Sequence, residues 1–412
     1  MKPRFSPFTA LQFRDFRLLW LGLLISRIGS EMQVVAVNWQ IYVLTGSALS
    51  LGLIGLSRFL PIIFLSLPGG IAADMLNRRK LMVMSQIVMI ASSSLLAIIT
   101  FSGHINPLFI YLLIALNSVA SAFDTPARQS LVPSLVPKKY FMNAVSLNTI
   151  MWQTAIVLGP SISGFIIAYL GVGSVYIINT LSFIAVILAL IFMRTKGSVE
   201  KKTAYFNLSS LKEGLTFVRR TPIIYSTMFL DFFATFFASA TVLLPIFAKD
   251  ILAVGPKGLG ILYAAPSAGA VLAGVIVSSL GHLKNQGKIL LSAVILYGIA
   301  TILFGISKSF YLSLIFLFLT GVGDVISTII RNTIRQLTTP DYLRGRMVSI
   351  NMLFFYGGPQ LGEAEAGIAA AAFGAPASVV IGGIGTIIAA SFLAFLIPKL
   401  RNYQGDEVLI NG

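Results

Sequence analysis

The 412-residue sequence has no cysteine and only two histidines, His104 and His282. The first absence removes disulfides, thiolate chemistry and cysteine-bound metals. Two separated histidines are too few for the usual zinc site. Charge is scarce as well: 11% of the residues are Asp, Glu, Lys or Arg, against 56% hydrophobic. Soluble domains carry about 25% charged residues. Mean hydropathy is +0.89. These figures exclude a cytosolic globular enzyme, a disordered chain and a coiled coil, and leave a polytopic membrane protein. Also missing is the phosphate-binding loop of an ATP-driven pump, a Gly followed four residues later by Gly-Lys-Ser/Thr. Gly321-Val322-Gly323 sits inside an apolar run and reads as helix packing. No clustered nucleophile and base is present, so neither a membrane enzyme nor a bound cofactor or metal is expected.

Acidic residues are few: 14 against 30 basic ones, a formal net charge of +16. A basic excess often signals nucleic acid. Here the positive charges lie in short loops between apolar runs, which points to a bilayer and away from nucleic acid.

Apolar runs of about 20 residues, the length that crosses hydrocarbon, occur twelve times. They are 18–43, 48–72, 81–101, 107–127, 146–169, 173–193, 223–247, 258–280, 288–307, 310–330, 347–370 and 376–397. A span in lipid must satisfy its own backbone groups, so these are predicted helices. They are too long and continuous for outer-membrane strands. Of the 30 Lys and Arg residues, 25 fall in one set of loops and three in the opposite set, with Arg27 and Arg58 inside spans. The positive-inside rule then places both termini and the central loop in the cytoplasm, and predicts a multi-pass protein of the bacterial cytoplasmic (inner) membrane. Met1 to Arg17 is polar and basic and lacks a signal-peptide pattern, so it is expected to be retained. In the central loop, Leu208, Leu211, Leu215 and Val218 recur at helical spacing, with Asn207 or Ser209 as possible caps. That predicts an amphipathic helix on the membrane surface.

The loop separates six spans from six, and the halves resemble each other. Arg128-Gln129-Ser130-Leu131 aligns with Arg331-Asn332-Thr333-Ile334 at an offset of 203. The same offset brings Pro137 to Pro340 and Val145-Ser146-Leu147-Asn148 to Val348-Ser349-Ile350-Asn351. Gly159-Pro160 meets Gly358-Pro359 at 199, a slip of about one helical turn. The predicted architecture is an all-α membrane protein with twelve transmembrane helices in two six-helix bundles. Its segments are 1–193, a linker at 194–222, and 223–412. Duplicated bundles related by an axis along the membrane normal suit a carrier with substrate bound between them.

The loop after the second span reads Gly70-Ile71-Ala72-Ala73-Asp74-Met75-Leu76-Asn77-Arg78-Arg79-Lys80. It resembles the signature loop of the major facilitator superfamily, with Met75 in place of a basic residue and Asn77 in place of Gly. The small Gly70 would let two helices approach closely. Asp74, at the wrong end of its helix for the macrodipole, would seek Arg78 or the start of a helix in the other half. The resemblance implies that Gly70, Asp74, Arg78, Arg79 and Lys80 form a conformational latch; the plain alternative is a positive-inside loop. Gly159-Pro160-Ser161-Ile162-Ser163-Gly164 in span 5 resembles the family's antiporter motif, with Gly159, Pro160 and Gly164 in its pattern. It favours export; the plain alternative is a packing kink with no bearing on direction. Three further stretches resemble the bacterial branch of enterobactin exporters and macrolide efflux carriers. They are Phe13-Arg14-Asp15-Phe16-Arg17-Leu18-Leu19-Trp20, Asp124-Thr125-Pro126-Ala127-Arg128 and Gly362-Glu363-Ala364-Glu365-Ala366-Gly367.

Charges inside spans cost about 2.5–3.5 kcal/mol each on insertion scales and should face a wet cavity or each other. Arg27 and Glu31, four apart, share a face and can pair, with Asn38 and Tyr42 extending the stripe. Thr227, Asp231 and Thr235 share a face of span 7. Asp324, Thr328 and Arg331 do so in span 10, and Asn117, Ser121, Asp124 and Arg128 in span 4. Glu363 and Glu365 are two apart and cannot both point one way. A carboxyl withdrawn from water holds its proton more tightly, whereas arginine stays charged. Glu31, Asp231, Asp324, Glu363 and Glu365 are therefore the proton-coupling candidates, with Asp324 equally a structural or gating link to Arg331. Arg27, Asn38, Tyr42, Arg58 and Thr235 are candidates to line the substrate cavity. A buried Arg27–Glu31 pair that only sets helix register is the competing reading. Trp39, Phe232, Phe233, Phe236 and Phe237 could line an apolar pocket or simply pack.

The expected function is secondary active transport by alternating access. The favoured form is proton-coupled export of a small amphipathic solute, siderophore or drug, by a monomer whose partners are substrate, protons and lipid. Proton-coupled uptake of a small metabolite is the alternative.

Overall fold

The computed structural model describes residues 8–195, 197, 208–280, 284–340 and 343–405. Asn207, His282 and Leu283 lie outside the described residues. Every regular element among the described residues is helical. The first half comprises α1 (Arg14–Thr45), α2 (Ala48–Met75), α3 (Arg78–Phe101), α4 (Pro107–Leu131), α5 (Phe141–Leu170) and α6 (Val172–Phe192). The linker carries α7 (Leu208–Arg220). The second half comprises α8 (Pro222–Phe237), α9 (Gly255–Ser279), α10 (Gln286–Ile306), α11 (Phe310–Thr338), α12 (Arg344–Phe373) and α13 (Ala375–Leu396).

Eleven helical segments among the described residues are long and apolar enough to cross a membrane. The 30-residue α12 takes the place of the twelfth. Large apolar side chains face outward, Phe395 at 81% exposure and Phe64 at 72%, a surface that only lipid can wet without cost. The predicted seventh span is not one helix. It breaks after Phe237 and continues as a tight turn at Ala240–Leu243, a short helix Leu244–Ile246 and a wide turn Phe247–Ile251. Pro245 has no N–H with which to continue the ladder. Ser239 satisfies exposed carbonyls instead, donating to Thr235 O at 2.6 Å and Pro359 O at 3.2 Å. In α7, Val218 is buried while Leu215 is exposed.

The helix ends follow from local chemistry. Asn77 caps α3 by accepting from Lys80 N at 3.1 Å. Asn106 caps α4 by accepting from Phe109 N at 3.0 Å, with Pro107 in the first turn, where its missing N–H costs nothing. Gly171 (φ +79°) joins α5 to α6 and Gly374 (φ +86°) joins α12 to α13. Both turns need the left-handed backbone that glycine adopts without strain, and they stand 203 residues apart, the offset of the sequence repeat.

The chain divides into two compact units, Met1–Thr45 with Ser57–Phe206, and Gly46–Leu56 with Asn207–Gly412. Gly46–Leu56 joins the second unit because the first turns of α2 lie on α12, with Gly52 against Gly367 and Gly55 against Glu363. Four helix packings recur in both units, and the second adds an extensive one of α9 on α11. In the first, α1 packs on α5 and α6, and α3 on α4 and α6. In the second, α8 packs on α12 and α13, and α10 on α11 and α13. The core of the first includes Phe16, Leu19, Met82, Leu147 and Leu190; that of the second includes Ile224, Met228, Leu290, Ile334 and Leu400.

A buried polar ladder ties α1, α3 and α6. Gln33 Oε1 accepts from Ser93 Oγ at 2.9 Å and from Asn179 Nδ2 at 2.7 Å. About two turns further along, Tyr176 OH donates to Gln40 Oε1 at 2.7 Å, and Gln40 Nε2 donates to Thr100 Oγ1 at 3.1 Å. Gln33→Leu removes the acceptor that two buried donors share. It should cost about 1–3 kcal/mol, read as a lowered Tm of the purified protein.

Candidate functional site

In the first unit the charges gather on α1. Arg27 pairs with Glu31 at 2.8 Å, and its guanidinium lies 3.5 Å from the ring centroid of Trp152 on α5. Both side chains keep some open surface, 27% and 17%. The pair is seated by the Gly-Pro motif: a Cβ at Gly159 would stand 2.5 Å from Glu31 Cβ and 2.9 Å from Ile28 O. Ser163 adds a hydrogen bond from its hydroxyl to Met32 O at 2.8 Å. Asn38 and Tyr42 are buried, so of the predicted stripe only Arg27 and Glu31 keep open surface. Trp152, which completes the site, carries no charge pattern that sequence spacing could flag.

The same local contact recurs in the second unit. A Cβ at Gly358 would meet Thr235 Oγ1 and Phe232 O, as Gly159 meets Glu31 and Ile28 O. Gly362 approaches Phe236 O where Ser163 reaches Met32 O. This register matches Glu31 to Thr235 and therefore Arg27 to Asp231. The two units thus carry opposite charges at one equivalent position.

Asp231 is 4% exposed and lies between two arginines of α11. Arg331 Nη2 is 2.9 Å from its Oδ1 and Arg335 Nη1 is 3.6 Å from its Oδ2. Arg331 also lies 3.8 Å from Asp324 and donates to Thr328 Oγ1 at 2.8 Å. Arg335 donates to Asn332 Oδ1 at 2.6 Å and to Asn351 Oδ1 on α12. The expected Asp324–Arg331 link is present. The tie from Asp231 to both arginines was not anticipated, although Asp324, Thr328, Arg331 and Arg335 recur at three- and four-residue steps along one face. Two acids and two bases leave the cluster neutral, which permits its burial. Thr227 and Thr235 spend their hydroxyls on carbonyls of their own helix, so Asp231 is the group on that face with chemistry to offer. On the same helix Phe229 stacks on Phe233 and Phe232 on Phe236, and Phe354 of α12 meets Phe229 and Phe232 edge-on.

The other candidates are spread apart. On α4, Asp124 accepts from Gln86 Nε2 at 3.0 Å and lies 3.8 Å from Arg128, while Asn117 donates to Ser92 Oγ. Arg58, Glu363 and Glu365 are half-buried. The loop after α2 departs from expectation at two points. A Cβ at Gly70 would meet nothing within 4 Å; its neighbour Gly69 makes the close approach, against Ala122 O of α4. Arg78 does not pair with Asp74, which is exposed. It donates to Ser130 O at 3.0 Å, and Arg79 donates to Met193 O and Ile191 O, each at 3.1 Å. Carbonyls at the ends of α4 and α6 carry the negative pole of the helix dipole, and they outcompete a carboxylate that water already solvates. The Phe13–Trp20 stretch clamps the first unit: Asp15 accepts from Arg194 N and Thr195 N, and Trp20 Nε1 donates to Leu147 O.

The model of the transmembrane secretion effector family, a branch of the major facilitator superfamily, matches residues 5–409. The chain belongs to that family. Membership makes the protein a membrane transporter and not an enzyme. It is 26% identical to the multidrug efflux pump Tap of Mycolicibacterium fortuitum over 93% of its own length and 96% of the relative's. It is 28% identical to the staphyloferrin A transporter of Staphylococcus aureus over 94% and 96%. Its fold matches that of a bacterial homologue of the human lysosomal transporter Spinster, with a TM-score of 0.75 at 16% identity over 94% and 97% of the two chains. Drug efflux and siderophore transport among the relatives agree with the branch resemblance of the sequence.

Proposed function

We propose that the protein is a proton-coupled exporter of a small amphipathic solute, a siderophore or a drug, working as a monomer by alternating access from the bacterial cytoplasmic membrane. Asp231 carries this reading. A carboxylate withdrawn from water and held by two arginines of another helix ties its charge to helix packing: the arginines favour the charged form, and taking up a proton would release them, which is what a proton-coupling group requires. The efflux and siderophore relatives support the substrate class. Glu31, Asp324, Glu363 and Glu365 are secondary proton candidates. Arg27 over Trp152 is a contact for an anionic or aromatic group of the substrate, and Arg58 is a second basic contact. Asp74, Arg78, Arg79 and Lys80 form the latch, with the exposed Asp74 left to find its partner in one state.

The test is transport by the purified protein in proteoliposomes with an imposed pH gradient. Siderophores, macrolides and cationic dyes are compared. At least one class should move saturably, out of step with the proton flow, and stop when the gradient is collapsed. Flux that does not saturate, or that ignores the gradient for every class, would remove the proposal.

A further inference from the structure

The repeat gives the arginine of α11 a counterpart, and the two arginines make different choices. Arg128 and Arg331 stand at the same repeat position, 203 residues apart. In the first unit the position equivalent to Asp231 is Arg27, a base that offers no acceptor to another arginine, and Arg128 lies beside Asp124, an acid of its own helix, at 3.8 Å. In the second unit the equivalent position is an acid, and Arg331 crosses to it. An acid of its own helix is also within reach, since the same Nη2 lies 2.9 Å from Asp231 Oδ1 and 3.8 Å from Asp324 Oδ1.

The surroundings single out Arg331 as the mobile member. Its Nε and Nη1 are buried without a hydrogen-bond acceptor among the described residues, so donors are free for a second carboxylate. Both amino nitrogens of Arg335 are taken, by Asn332 and Asn351. The two acids differ as well: the Asp231 side chain is 5% exposed and that of Asp324 is 45% exposed. Tyr297 of α10, whose hydroxyl donates to Ala238 O, is the remaining titratable group beside the cluster. The α13 helix contributes no charge, and α12 contributes Asn351.

We propose that Arg331 is a swinging counter-ion, bound to Asp231 while that carboxylate is charged and transferred to Asp324 when Asp231 takes a proton. Arg331 and Asp324 are then positioning residues for the proton step, and the first unit displays the swung-back arrangement in Arg128 and Asp124. The inference rests on Asp231 being the proton site of the proposed exporter, but its test needs no substrate. The structure of Asp231→Asn in lipid nanodiscs should show an Arg331 nitrogen hydrogen-bonded to an Asp324 oxygen. Arg331 still seated on residue 231 overturns the proposal. If that variant does not fold, the structure of the parent protein in nanodiscs at an acidic pH where its protonated-carboxyl infrared band is present should show the same transfer to Asp324; an Arg331 still seated on Asp231 there again overturns the proposal. Infrared spectra give the accompanying pH profile. The protonated-carboxyl band that Asp231→Asn removes should appear at a pH lower by about one unit in Asp324→Asn and return to its original place in Asp324→Glu. An unchanged midpoint in Asp324→Asn contradicts the swing, whereas failure of transport alone would touch only the exporter reading.

Discussion

Asp231→Asn is expected to abolish accumulation driven by a pH gradient while leaving substrate-for-substrate exchange in place. The loss should reach at least about a hundredfold, the lower end of what a positioned proton-transfer group contributes. Asparagine keeps the shape and one acceptor oxygen but cannot exchange a proton, so the coupled half of the cycle stops and the uncoupled half survives. The variant will also be less stable. It leaves Arg331 and Arg335, 1% and 3% exposed, with one carboxylate between them. Breaking a buried pair by deleting one partner costs about 3–5 kcal/mol, here reduced by Asp324 and by the two asparagines that hold Arg335. Proteoliposomes should therefore be matched for folded protein by thermal unfolding before rates are compared. Asp231→Glu keeps an ionisable group and should restore part of the gradient-driven flux. Full accumulation by Asp231→Asn at matched protein would show that the proton enters elsewhere, with Glu31 the next candidate.

Much of this architecture was legible because lipid simplifies the code. Apolar runs of about 20 residues located the membrane-length helices. The break in the seventh span was less visible, since Ala238 to Phe247 carries no charge and Pro245 is its one helix-breaking residue. At the sites, spacing along one helix worked: Arg27 with Glu31 and Asp324 with Arg331 follow from helical steps. Contacts between helices do not follow from such steps. Trp152 beneath Arg27, and Arg335 beside Asp231, depend on how α5 meets α1 and how α11 meets α8. Matching Arg27 to Asp231 needs an offset of 204, one more than the 203 of the sequence repeat. That match becomes readable only once the glycine contacts fix the register. The loop after α2 shows the opposite failure. Its motif assigns the close approach to Gly70, whereas packing assigns it to Gly69, one residue and about 100° round the helix.

That glycine contrast makes a sharp experiment. Gly159→Ala puts a methyl group 2.5 Å from Glu31 Cβ and 2.9 Å from the Ile28 carbonyl oxygen. Neither is the tip of a flexible chain, so α5 and α1 must separate, and overpacking of this kind costs about 1–3 kcal/mol. Gly70→Ala meets open space and should be neutral or gain about 0.5–1 kcal/mol from the better helix former. Thermal unfolding of the two variants should therefore move in opposite directions or differ clearly in size. The functional reading follows the same geometry. Moving α1 away from α5 carries Arg27 off Trp152, so Gly159→Ala should also change the quenching of Trp152 measured in a Trp20→Phe, Trp39→Phe background. If Gly159→Ala melts with the parent and its tryptophan signal is unchanged, the Gly-Pro motif does not seat the ion pair. Its place in span 5 would then have to be explained by what the kink does during transport, and not by the packing of the resting unit.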